Sequence, residues 1–178
     1  QVCRFVFDAD NSNQIFSMTP KDLNMISNIE EMIDIGVNSF KVEGRMRSVY
    51  YIATVISVYR HLIDKIVNKN LNNAYTKYSL SVLNRCANRD SVEQFFNGLP
   101  GKNEQYFLSE RDEVSNKDFL GIVLDYDSTN NIVLLEQRNY FKPGDTVEFF
   151  GPNLEPKTFV IPENIYDIDD NLIEVANH

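Results

Sequence analysis

Three cations and one carboxylate crowd into eight residues, Lys41-Val42-Glu43-Gly44-Arg45-Met46-Arg47-Ser48. Two guanidinium groups near one strand end can clamp a carboxylate or a phosphate through bidentate hydrogen bonds. Glu43 stands between them, placed to orient them or to act as an acid or base. We take Glu43 and Arg45 as candidate catalytic residues, and Lys41, Arg47 and Tyr51 as candidate substrate contacts. The substrate this pattern suits carries carboxylates or is an RNA phosphate. A surface turn with ordinary salt bridges uses the same residue types, so the eight residues alone leave that reading open. Other catalytic sets are missing: there is no His-Glu-x-x-His, no Gly-x-Ser-x-Gly and no Walker loop. His61 reads as a solvated helix residue, and His178 is terminal and given no role.

The elements around the cluster must hold it. Phe40 and Val42 alternate with Lys41 and Glu43, which predicts a strand over 39–43. Gly44 permits a sharp turn, and a helix is expected from about Ser48. Ile52, Val55, Ile56, Tyr59, Leu62, Ile63 and Ile66 recur at helical spacing and mark its buried face. Tyr50 and Tyr51 fall at its start, suited either to lining a pocket or to packing. An earlier helix is expected over 20–35. Thr19 would be its N-cap, Pro20 its first residue and Asp22 the third residue after the cap. Gly36 and Val37 would end it. Residues 2–7 read as a strand with Cys3 as a packing residue, 8–13 as a loop, and Ile15-Phe16 as a short extended piece. Asn68, Asn70, Asn72 and Asn73 interrupt the second helix, and a short helix over 80–84 follows. Pro100-Gly101-Lys102-Asn103 reads as a turn and linker. Beyond Phe107 the apolar pattern shortens to period 2. Runs at 119–126, 132–137, 146–150, 157–161 and 172–175 are separated by turn signals, which predicts a small antiparallel barrel.

Composition bounds the functional classes. The chain has 178 residues, 43% of them hydrophobic, enough for one ordinary domain or two small ones. No apolar run approaches the roughly 20 residues of a membrane span. The formal charge of −9 disfavours a wholly basic nucleic-acid face but leaves room for a local basic patch. The acidic excess lies largely after Glu104. Cys3 and Cys86 lack metal-ligand spacing and make no disulfide framework, which fits a reducing, cytoplasmic setting. The first residue is Gln, so the chain reads as a piece of a longer one.

The residues around the cluster resemble the collagenase-like peptidase family, peptidase family U32. The resemblance runs through Lys21-Asp22-Leu23, Gly36-Val37-Asn38-Ser39-Phe40, the 41–51 stretch, Ala53-Thr54-Val55 and Tyr59-Arg60. It continues through Asn88-Arg89, Phe95-Phe96, Pro100-Gly101 and residues 136–141. The nearest likeness is to the branch that hydroxylates tRNA. That resemblance implies prephenate as co-substrate, tRNA as partner and 5-hydroxyuridine at the wobble position as product. Other branches imply ribosomal RNA or ubiquinone hydroxylation, and the family name implies the alternative, a collagenase-like peptidase or peptide-binding module. It further implies an α+β chain: the C-terminal βα units of a TIM-like barrel over 1–90, a linker over 91–108, and a small β-barrel domain over 109–178. The β domain is expected to serve as a lid or RNA-facing module. Some members hold an iron–sulfur cluster. Cys3 matches a family cysteine, whereas Asn24 stands where many relatives carry Cys, and two thiolates cannot supply the usual four. The segment alone is expected to be inactive, because a barrel site draws side chains from several strands.

Overall fold

The computed structural model describes residues 2, 5–8, 15–45, 47–86, 89–101, 104 and 118–177. The expectations for Cys3, for the 9–13 part of the first loop, for Lys102-Asn103 and for residues 105–117 lie outside these. The chain divides into two units, 1–115 and 116–178.

In the first unit, β1 (Val6–Asp8) and β2 (Ile15–Ser17) form an antiparallel pair. β3 (Asp22–Leu23) pairs in parallel with β4 (Ser91–Val92). Asp22 N–H donates to the Asp90 carbonyl at 2.9 Å, and Asn24 N–H to the Val92 carbonyl at 2.9 Å. Parallel neighbours need a long crossover. Here it contains a 3₁₀ turn (Ile26–Asn28), α1 (Ile29–Asp34), α2 (Val49–Val67) and α3 (Asn73–Cys86). Ile26, Ile29, Val55, Val58, Leu62, Val82, Leu83 and Cys86 form the core between these elements.

Local chemistry sets the helix ends. The Ser48 hydroxyl accepts from Tyr51 N–H at 3.1 Å and starts α2. Asn72 Oδ1 accepts from Tyr75 N–H at 2.9 Å and starts α3. Gly36, at φ 98°, closes α1, with Val37 N–H returning to the Met32 carbonyl at 2.9 Å, the pairing of a left-handed helix stop.

Four expectations need correction. The first helix begins at Ile26 rather than Pro20, because the backbone of residues 22–24 is drawn into the ladder with β4. Met25, not Thr19, then stands at the cap position with no side-chain cap, and Asn24 Oδ1 just before it accepts from Ile26 N–H at 3.1 Å. Residues 39–43 join no ladder, and an alternating pattern makes a strand only where a neighbour supplies hydrogen bonds. The buried stripe of α2 is Val55, Val58 and Leu62 with Thr54, while Ile52 and Ile56 are exposed. α3 also runs well beyond the expected 80–84.

The second unit is made of hairpins. β5 (Gly121–Asp127) pairs with β6 (Ile132–Gln137), β7 (Thr146–Gly151) with β8 (Leu154–Val160), and β9 (Ile165–Tyr166) with β10 (Leu172–Ile173). Asp127 accepts from Thr129 N–H and Asn130 N–H at the first turn, and Asp167 from Asp169 N–H and Asn171 N–H at the third. These are the Asx turns that the Asp/Asn-rich stretches encode. Phe141 and Ala176 exchange backbone hydrogen bonds and are both buried, which ties the end of the unit back to its middle. The chain is thus mixed α and β with small, mostly antiparallel sheets. Each sheet among the described residues has two strands, so these ladders do not by themselves close a barrel.

Gly121 sets a test of the first hairpin. A Cβ there would stand 2.5 Å from the Glu136 carbonyl oxygen, whereas one on Gly101 would meet nothing within 4 Å. Gly121→Ala is expected to lower stability by about 1–3 kcal/mol, and Gly101→Ala to leave it nearly unchanged, in urea unfolding of the two variants.

Candidate functional site

The polar centre of the first unit is Asp22. Residues 22 and 24 alternate with Leu23 along β3 and so share a face. Tyr51, Val55 and Tyr59 follow one another at four-residue spacing on α2 and line a small recess together with Asp22, Asn24 and Ser91. Arg47, one residue before the Ser48 cap, reaches the Asp22 carboxylate. Its Nη2 donates to both oxygens, at 2.6 Å to Oδ2 and closer still to Oδ1. Tyr51 Oη donates to Oδ2 at 3.3 Å. Arg89, just upstream of β4, places Nη1 3.9 Å from Oδ1. The Arg47 guanidinium also lies over the Tyr51 ring, 4.8 Å from its centre. The Asp22, Arg47 and Arg89 side chains are only 14%, 17% and 13% exposed.

A second polar set continues along β3. Asn24 Nδ2 donates to Ser91 Oγ at 3.2 Å, and Tyr59 Oη accepts from Met25 N–H at 2.9 Å. Burial pushes the Tyr59 phenol up from its ordinary value. Tyr51 is pushed up to about 12, first by burial and then by the Asp22 carboxylate, with Arg47 opposing. A neutral phenol that donates to Asp22 is the state this surrounding favours.

The five residues expected to form the site divide into two groups. Arg47 and Tyr51 point inward and are occupied by Asp22. Lys41, Glu43 and Arg45 are exposed. Glu43 Oε1 accepts from the Arg45 backbone N–H at 3.0 Å, and Arg47 N–H donates to the Gly44 carbonyl at 2.9 Å, which closes the turn. Lys41 and Arg45 make no ion pair among the described residues. Their charges are therefore presented to solvent, on a turn whose far end is anchored through Arg47. Sequence reasoning missed Asp22, which it used as a helix-capping residue, and with it Asn24 and Tyr59. The available signal was two polar residues alternating around Leu23, a strand-like pattern.

Among the described residues, no three His, Cys, Asp or Glu side chains could hold a metal ion. Cys86 is buried against α2, and burial pushes its thiol up to about 11, which works against a metal-bound thiolate. No helix is long and apolar enough to cross a membrane among the described residues.

The model of peptidase family U32 matches residues 1–106, and that of the family's C-terminal domain matches residues 115–178. The chain belongs to peptidase family U32. It is 44% identical over 190 aligned residues to tRNA hydroxylation protein P1 of Bacillus subtilis, covering all of this chain and 44% of that protein. The chain thus spans less than half the length of that relative. A collagenase of Porphyromonas gingivalis is 39% identical over 75 residues, covering 38% of this chain and 20% of that protein. A crystal structure of the C-terminal domain of a Geobacillus thermoleovorans U32 peptidase shares 50% identity with 34% of this chain, covers 66% of that chain, and has a TM-score of 0.32.

The raised phenol and thiol fix the sign of an alkaline effect. A group whose value is higher in the folded state contributes stability that is complete below its unfolded value and is lost as pH rises through the folded one. For Cys86 that window runs from 9.0 to about 11, and for Tyr51 from 10.0 to about 12. Unfolding midpoints in urea are expected to hold to about pH 9 and then fall. Tyr51→Phe should begin lower at pH 8, having lost its bond to Asp22, and fall less steeply than wild type above pH 10.

Proposed function

We propose that this chain is the C-terminal part of a cytoplasmic enzyme that hydroxylates the wobble uridine of tRNA, with prephenate as co-substrate. The observation that carries the reading is the 44% identity, sustained along the whole chain, to a protein named for tRNA hydroxylation. The chemistry of the 41–47 turn supports it. Lys41 and Arg45 present unpaired positive charge, which suits either the phosphates of an RNA or the two carboxylates of prephenate. Glu43 fixes the turn through Arg45 N–H and keeps a second carboxylate oxygen for a substrate hydroxyl or amide. Arg47 and Tyr51 serve the substrate indirectly, by anchoring that turn.

Charge distribution favours the first unit for the RNA contact. Residues 1–115 carry 13 Lys and Arg against 14 Asp and Glu, and residues 116–178 carry 4 against 12. A phosphate backbone is bound by cations, so of the two roles expected for the β unit, lid or RNA-facing module, its charge favours the lid. The peptidase reading is supported by the family's name and by local identity to a collagenase.

Nucleoside analysis decides between them. A strain lacking the full-length gene should lose 5-hydroxyuridine derivatives from its tRNA, and the intact gene should restore them. Unchanged tRNA together with lost peptide cleavage would favour the peptidase. Arg45→Ala in the full-length protein should lower hydroxylation about ten- to a hundredfold. That is the rate equivalent of a charge-assisted hydrogen bond worth about 1.5–3 kcal/mol. Because Arg45 is exposed, its melting temperature should match that of wild type. A variant with full nucleoside levels would remove Arg45 from the site.

A further inference from the structure

We infer that Asp22 is a positioning residue for the reaction, acting through Arg47 to aim the 41–47 turn. The inference rests on the proposed reading of that turn. Asp22 receives Arg47, Tyr51 and Arg89 from three separate places: the turn before α2, the first turn of α2, and the approach to β4. Its own backbone is fixed by N–H donation to the Asp90 carbonyl. The carboxylate thus stands at a point held by the sheet, and the turn is attached to that point by Arg47 Nη2, which donates to both of its oxygens. Between Arg47 and the exposed cation Arg45 lies one residue, and Arg47 N–H closes the turn on the Gly44 carbonyl. A change in where Arg47 sits is therefore passed along the backbone to Arg45, Glu43 and Lys41.

The arrangement separates two jobs that share one residue type. Arg47 is largely buried with its Nη2 taken by Asp22, while Arg45 is exposed, makes no ion pair among the described residues and can take one. One nitrogen of Arg47, Nη2, reaches both Asp22 oxygens while the guanidinium plane lies over the Tyr51 ring. An ammonium is a point charge without that plane, so Arg47→Lys holds the turn less firmly. A misplacement of about 1 Å at such a contact can cost about a hundredfold in rate.

The test uses the full-length protein with Asp22→Asn and, as a second variant acting from the other side of the pair, Arg47→Lys. Two readouts are taken on each: restoration of 5-hydroxyuridine in the gene-deleted strain, and the rate of limited tryptic cleavage after Lys41 and Arg45 in the purified protein. Both variants are expected to lower the nucleoside at least tenfold and to speed cleavage after Arg45 at least fivefold, each by more than the fall in melting temperature from the broken pair accounts for at the assay temperature. Tyr51→Phe, which keeps the Asp22–Arg47 pair, should show a much smaller change in both. Wild-type levels of nucleoside and cleavage in both variants would overturn the inference. So would a large fall in melting temperature with activity lost only in proportion, since that describes a structural ion pair. If the intact gene itself restores no 5-hydroxyuridine, the tRNA reading fails. The cleavage rates then still decide whether Asp22 sets the turn.

Discussion

One carboxylate sets the geometry of the first unit. Asp22 is largely withdrawn from water, and a buried charge is tolerated only when it is paired and hydrogen-bonded. Its partners come from segments far apart in the chain: Arg47 and Tyr51 at the start of α2, and Arg89 beyond the end of α3. Removing one partner of such a pair costs about 3–5 kcal/mol, because the other charge stays buried without compensation. The same desolvation that makes the pair costly to break makes it directional. It holds the first turn of α2 against β3, and the recess beside Asn24 and Ser91 follows from that placement.

The constraint leaves Lys41, Glu43 and Arg45 exposed on the turn. Arg47 and Arg45 are two residues apart and have opposite fates, one neutralised inside and the other presented outside. The acidic excess of the second unit adds a complementary constraint. Its turns are built on Asp127 and Asp167, whose carboxylates accept from backbone N–H groups and Asn side chains.

What the sequence made legible was local. The second helix, the glycine stop at Gly36 and the Asp/Asn turns of the hairpins each depend on a few neighbouring residues, and each stands in the structure. Gly44 also turns the chain as expected, with a Cβ there excluded by Ile52 Cγ1 at 2.8 Å. What was illegible depends on distant partners. Residues 22–24 carry a helix-start pattern, yet Asp90 and Val92, about 70 residues away, take their amide protons into a ladder. Residues 39–43 alternate as a strand should and find no ladder. Asp22 escaped notice as a site residue for the same reason, since its role is defined by Arg47 and Arg89 rather than by its neighbours. The site candidates were chosen by charge density, which located the turn but could not tell the inward arginine from the outward one.

The central claim is that Asp22 and Arg47 act as one unit, and a double-mutant cycle measures that directly. Stabilities of wild type, Asp22→Ala, Arg47→Ala and the double variant would be compared by urea unfolding at neutral pH. A bidentate, largely buried pair predicts a coupling energy of about 1.5–3 kcal/mol, with the double variant little worse than either single one. Additive losses, with a coupling below about 0.5 kcal/mol, would show that the two side chains contribute separately and would contradict the account.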